Sequence, residues 1–326
     1  MTTAALPVPF DRELDEALVG LREQGFARSE AMTLEGLLLA RERFGAGFEP
    51  ADVIGDRPVV HEQRVVAGPA GSPEITLLVV RPKNPEPGAP GIYEIHGGGM
   101  IMGSRWMAFP DLVHDAATYG AVGVSVEYRL APEHPDPAPS EDCYTGLLWM
   151  FEHAEELGID PGRIIVRGAS AGGGLSAAVA LMARDRKGPE LAGQMLICPM
   201  IDDRNGTVSA HQYESLGIWS GGTNSFAWSA LLGDRCGQPG VSVYAAPSRA
   251  EDLSDLPPAF IEVGAAEVFR DEDVEYASRI WSVGGQAELH VWDGCFHAFY
   301  TFVPQASVSK AALESRTTWL KRILGV

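Results

Sequence analysis

The chain is poor in cysteine. Its four, Cys143, Cys198, Cys236 and Cys295, are far apart and form no C-x-x-C pair. That spacing excludes a disulfide framework and points to a reduced, intracellular chain. No Cys/His cluster has the spacing of zinc ligands, so no metal is expected. Basic residues are also short: 25 Lys and Arg stand against 44 Asp and Glu, a net charge of -19. A chain so acidic repels nucleic acid and anionic membrane surfaces alike, so neither is expected as a partner. No apolar run reaches membrane-spanning length. The opening MTTAALPVPFDREL has no basic start and is broken by Pro7 and Pro9, unlike a signal peptide. A cytoplasmic setting is expected. Repeats and low-complexity tracts are absent as well.

What remains is a 326-residue chain with 45% hydrophobic and 21% charged residues, enough to bury the core of a large α/β domain. The first fifty residues read as helical. Leu14, Leu18 and Leu21 share one face, and Leu34, Leu37, Leu38 and Arg41 form a second stripe. Residues 62–90 read as two strands joined by a Gly/Pro turn and closed by a Pro-rich loop. From residue 91, short apolar runs alternate with helical stretches: GIYEIHGGG, AVGVSVEYRL, RIIVRGAS, GQMLICPMID, PAFIEVGAAE and AELHVWDG. Such alternation implies βαβ units, a mostly parallel sheet, and helices on both its faces. The stretch from about 203 to 256 breaks this rhythm. With the N-terminal helices it is expected to form a cap over the carboxyl edge of the sheet, where open α/β sheets bind ligands. The expected division is residues 1–55 for N-terminal cap helices and 56–326 for the catalytic domain, the insertion included.

Four features carry chemistry. Ser170 lies in GASAG, between an apolar run and an alanine-rich helical stretch. It reads as a tight structural turn or as a nucleophile on a strained strand-to-helix elbow, with Gly168 and Gly172 allowing the sharp turn. HGGGM, residues 96–100, places three glycines after an apolar run. Bare N–H groups there suit a developing oxyanion, with Gly98, Gly99 and Ala171 as the donors. A phosphate-binding loop is the weaker reading, since no Walker lysine follows. Of eight histidines, His297 falls in a loop just past an apolar strand and is the best base. His290 lies within that strand and reads as structural, and His96 as a brace for the glycine loop. The acid is Glu267, right after a strand end, in preference to Asp271, which reads as the N-cap of the following helix. Glu272 and Asp273 read as solvated first-turn acids. Ser170, Glu267 and His297 then follow one another in α/β-hydrolase order. Met100, Met102, Trp106, Tyr213, Trp219 and Trp228 are candidates for an apolar substrate pocket.

HGGGM (96–100), YRLAPEHPDPAPSEDCY (128–144), GASAGG (168–173), LPPAFIEVGAAEVFRDED (256–273) and DGCFHAF (293–299) together resemble the hormone-sensitive-lipase family of α/β-hydrolases, bacterial esterases included. The resemblance covers roughly residues 60 to 326. It implies a serine hydrolase for carboxylic esters with short acyl chains, a small-molecule substrate, and no metal or organic cofactor. Dimers are common among its members, so a homodimer is compatible with it. Three positions depart from the family pattern. The acid is glutamate rather than aspartate at 267, Ala169 stands where an acidic residue usually precedes the nucleophile, and Met100 follows the glycines in place of an aromatic. An amidase, peptidase or lactonase with the same triad, a non-catalytic ligand receptor, and a Rossmann-type cofactor binder are the rival readings; the last lacks its glycine fingerprint.

Overall fold

The computed structural model describes residues 6–26, 32–45 and 47–326. Residues 1–5, 27–31 and 46 of the expected N-terminal cap lie outside the described residues. The chain opens with three helices, α1 (Arg12–Glu23), α2 (Leu34–Gly45) and α3 (Pro50–Ile54), and then pairs strand β1 (Val59–Val66) with β2 (Ile75–Pro82). The alternating part runs β3 (Ala89–Ile95), α4 (Phe109–Tyr119), β4 (Val122–Glu127), α5 (Ala138–Glu152), α6 (Ala154–Leu157), β5 (Ile159–Ala169), α7 (Ala171–Asp185) and β6 (Gly193–Ile197). After β6 come α8 (Val208–Gln212) and α9 (Gly221–Leu232), then β7 (Ala259–Gly264), α10 (Arg270–Ser282), β8 (Ala287–Trp292), α11 (Phe299–Phe302) and α12 (Ser307–Leu324).

The eight strands form one sheet in the order β1-β2-β4-β3-β5-β6-β7-β8. β1 and β2 pair antiparallel, β2 meets β4 antiparallel, and every pairing from β4 to β8 is parallel. The expected mostly parallel sheet is therefore present. Strands β3, β6 and β7 are buried along their whole length, as continuous apolar runs between two helical layers should be. β8, at the edge, is only half-buried.

Two features of the N-terminal region bear on the site. Asp11 caps α1, its carboxylate accepting the Glu13 N–H at 2.8 Å, a contact that stabilises a helix by about 1 kcal/mol. Leu14 and Leu18 then pack on Cys295, Phe296 and Phe299, the residues flanking His297. α2 behaves differently from its expected stripe. Leu37 is buried, but Leu34 and Leu38 are more than half exposed. Polar anchorage holds this helix in place of a broad apolar face: Arg41 donates to the carbonyls of Ile101 (2.7 Å) and Ala131 (2.8 Å).

The stretch between β6 and β7 folds onto the sheet. Tyr213, Trp219, Trp228, Leu231 and Leu232 are buried in the same continuous core as the strands. The Tyr213 hydroxyl donates to the Val8 carbonyl at 2.9 Å, joining the insertion to the N-terminal segment.

Candidate active site

Ser170 caps the junction of β5 and α7 with φ 59° and ψ -125°. A side chain held at positive φ costs on the order of 1–3 kcal/mol, so the surrounding contacts must impose it. They do: the Ser170 N–H donates to the Ile197 carbonyl at 2.8 Å, and its carbonyl accepts from Gly174 and Met200, both at 3.0 Å. The flanking glycines act through close approach, not through φ. A Cβ on Gly168 would run into the Gly172 backbone, and one on Gly172 into the Ile95 carbonyl. Any larger residue would push the elbow off β3.

His297 lies in the turn between β8 and α11, and its Nε2 is 3.0 Å from Ser170 Oγ. Its Nδ1 is 2.5 Å from Glu267 Oε2. The other carboxylate oxygen of Glu267 accepts the Gly264 N–H at 2.8 Å. That second bond fixes the side chain at both oxygens. All three residues are buried, Ser170 the most accessible at 8%. The ring of Phe269 stands edge-on to His297 at 5.2 Å and Trp219 lies tilted at 6.2 Å. The imidazole is buried beside these rings; Phe269 was not singled out from the sequence.

The glycine loop follows β3. Gly98 and Gly99 have φ of 107° and 64°, conformations that favour glycine. A Cβ on Gly99 would strike the Trp219 ring, and one on Gly98 the Met102 carbonyl. Among the described residues, the N–H groups of Gly98, Gly99 and Ala171 have no acceptor. His96 braces the loop as expected. Its Nδ1 is 2.8 Å from the Gly97 carbonyl, its own carbonyl accepts the Tyr128 hydroxyl at 2.9 Å, and its ring stacks on Tyr128. Burial pushes the His96 pKa down to about 4, so the imidazole is neutral at neutral pH.

The substrate candidates separate. Trp219 lies beside His297 and over Gly99. Met100 and Met102 are buried in the turn after the glycines, where the Met102 N–H donates to Gly98. Tyr213 and Trp228 are core residues. Trp106 packs against Phe48, His61 and Phe109, in an aromatic cluster beside β1 and α4.

The acids after β7 need correction. α10 begins at Arg270, so Asp271 is not its N-cap. Its carboxylate accepts the Ser209 N–H at 2.8 Å and pairs with Arg270. Glu272 and Asp273 are not solvated: they are 3% and 0% exposed. The first turn of α10 faces inward against the segment that follows β6, where Glu272 accepts the N–H groups of Ile201 and Asp202. Burial pushes both carboxyls well above the usual range, with the Asp202 carboxylate adding to the rise at Glu272 and the Glu272 carboxylate to that at Asp273. Sequence reasoning also missed a buried charge network next to the elbow. Arg167 on β5 donates to Glu94 at 2.5 Å and forms an ion pair with Asp115 at 2.8 Å. Burial raises the Glu94 carboxyl to about 7 despite the guanidinium.

A family profile described as the alpha/beta hydrolase fold matches residues 92–301. The esterase LipI of Mycobacterium tuberculosis is 36% identical over 79% of this chain and 81% of its own length. The carboxylesterase NlhH of the same organism is 33% identical over 89% and 90%. Among solved structures, a bacterial heroin esterase superposes with a TM-score of 0.87 at 37% identity, covering 97% of this chain and 98% of that one. No described helix is long and apolar enough to cross a membrane. Fold, motif order and relatives agree, and the chain belongs to the α/β-hydrolase family, in its hormone-sensitive-lipase-like group.

Proposed function

We propose that this chain is a carboxylesterase that hydrolyses small-molecule esters in two steps through an acyl-enzyme on Ser170. One observation carries the reading: the unbroken contact chain from Ser170 Oγ to His297 Nε2 (3.0 Å) and from His297 Nδ1 to Glu267 Oε2 (2.5 Å). With Nδ1–H donated to the carboxylate, Nε2 carries the lone pair and takes the Ser170 proton as Oγ attacks the ester carbonyl. Glu267 holds that tautomer and stabilises the imidazolium. The unpaired N–H groups of Gly98, Gly99 and Ala171 supply the oxyanion donors, each worth about 3–4 kcal/mol in comparable hydrolases. The imidazolium protonates the leaving alcohol. Water, deprotonated by the same Nε2, then releases the acid.

The cap reading of the N-terminal helices and the insertion is supported by Trp219 lying over the glycine loop and by Tyr213 tying the insertion to Val8. A wall of that size close to His297 favours short acyl groups. The four unpaired cysteines support a reducing, cytoplasmic setting. Ser170→Ala tests the reading. Turnover of p-nitrophenyl esters, strongest at two to four carbons and weak at twelve, falls by at least about 1,000-fold, while the far-UV spectrum and Tm stay close to wild type. Near-normal turnover in this variant removes Ser170 as nucleophile.

A further inference from the structure

Cys198 follows β6 directly and has no part in the acyl transfer above. Its backbone is held at φ 39°, with its N–H donating to the Glu262 carbonyl at 2.6 Å. In that pose its sulfur, a carboxylate oxygen of Glu267 and a ring nitrogen of His297 all lie within 4.8 Å of one another, and all three residues are buried. Cys198 and Glu267 share a tight pocket with Gly264 and Ala298 that leaves no room for a water molecule. Three acids, Glu267, Asp273 and Glu262, lie close to the thiol, and Glu262 is paired with Arg316 at 2.5 Å. Asp273 is fully buried, and neither of its carboxyl oxygens has a hydrogen-bond partner among the described residues. One thiol, one imidazole and one carboxylate in reach of one another are donors suited to a thiophilic, tetrahedral cation.

We infer that Cys198, Glu267 and His297 form an inhibitory site for a thiophilic divalent cation such as Zn²⁺ or Cd²⁺. Metal–sulfur and metal–nitrogen bonds of roughly 2.3 and 2.0 Å require donors about 3.3–3.8 Å apart. The imidazole and carboxylate must therefore separate by about 1 Å. Burial holds the thiol protonated in the metal-free protein. On binding, the Cys198 proton leaves to solvent and the sulfur enters as thiolate. The imidazole proton moves from Nδ1, now a metal ligand, to Nε2. Nε2–H has no lone pair for the Ser170 proton, so turnover stops. This consequence rests on His297 being the base in the proposed acyl transfer; the binding itself does not.

The test uses Cd²⁺ on the full chain in three forms: wild type, Cys198→Ser and Cys198→Ala. Each is assayed against its own metal-free rate on p-nitrophenyl acetate. Thiolate-to-cadmium charge-transfer absorbance is read in parallel on Ser170→Ala, with and without Cys198→Ser. The expected result is stoichiometric inhibition of the wild type that chelator reverses, at least a tenfold weaker effect in both Cys198 variants, and a charge-transfer band in Ser170→Ala that Cys198→Ser abolishes. Equal inhibition of wild type and Cys198 variants, or a band that survives Cys198→Ser, overturns the site. The absorbance arm needs no turnover, so a failed nucleophile assignment and a failed metal site give different outcomes.

Discussion

Glu267 grips His297 through one carboxylate oxygen and the Gly264 N–H through the other, at 2.5 and 2.8 Å. The acid is therefore positioned by the end of β7 as well as by its partner. Replacing it with glutamine offers an amide N–H as readily as an oxygen and loosens the imidazole tautomer. Glu267→Gln lowers kcat on the order of 10,000-fold, with KM little changed. Asp271→Asn lowers it by less than about tenfold, because Asp271 bonds Ser209 and Arg270 and does not touch His297. Steady-state kinetics on the two variants decide between them; equal losses contradict the assignment.

Gly99 and Trp219 occupy one space. A methyl group on Gly99 both strains a φ of 64° and strikes the indole. Gly99→Ala lowers kcat/KM on the order of 100-fold by shifting the glycine loop. Trp219→Leu opens room for that methyl. In a double-mutant cycle the combined loss is smaller than the sum of the two single losses. Strict additivity in kcat/KM shows that the loop and the indole do not bear on each other.

His96 sets an acid limit on the fold. Its folded pKa is about 4 against an ordinary 6.5, because burial disfavours the charged ring. The unfolded chain takes up a proton as pH falls below about 6.5 and the folded chain does not, so stability is lost from there down to about 4. The whole window carries roughly 3 kcal/mol. In His96→Gln the acid limb of Tm against pH is shallower than in wild type. Parallel limbs indicate that His96 does not titrate in this way.

The three residues of the proposed triad were legible because each follows an apolar strand: Ser170 after β5, Glu267 after β7, His297 after β8. A parallel sheet brings the carboxyl ends of its strands to one edge, so position after a strand is already a spatial statement. The glycines were legible for a related reason, since only close backbone approach justifies three in a row. Burial within helices was not legible. Glu272 and Asp273 look like first-turn acids, and nothing local says that the start of α10 faces the segment after β6. Leu34 and Leu38 of α2 have helical spacing but little to pack against. Trp106 neighbours the glycine motif in sequence yet packs beside β1. Cys198 carried no signal beyond its place after β6, and its nearness to His297 arises only from strand order.

An active-site-directed fluorophosphonate tests the proposed site most directly. Intact mass and peptide mapping are expected to show one adduct per chain, on Ser170, formed in step with the loss of esterase activity and absent from His297→Ala on the same timescale. An adduct on another residue, or full labelling of Ser170 without His297, contradicts it.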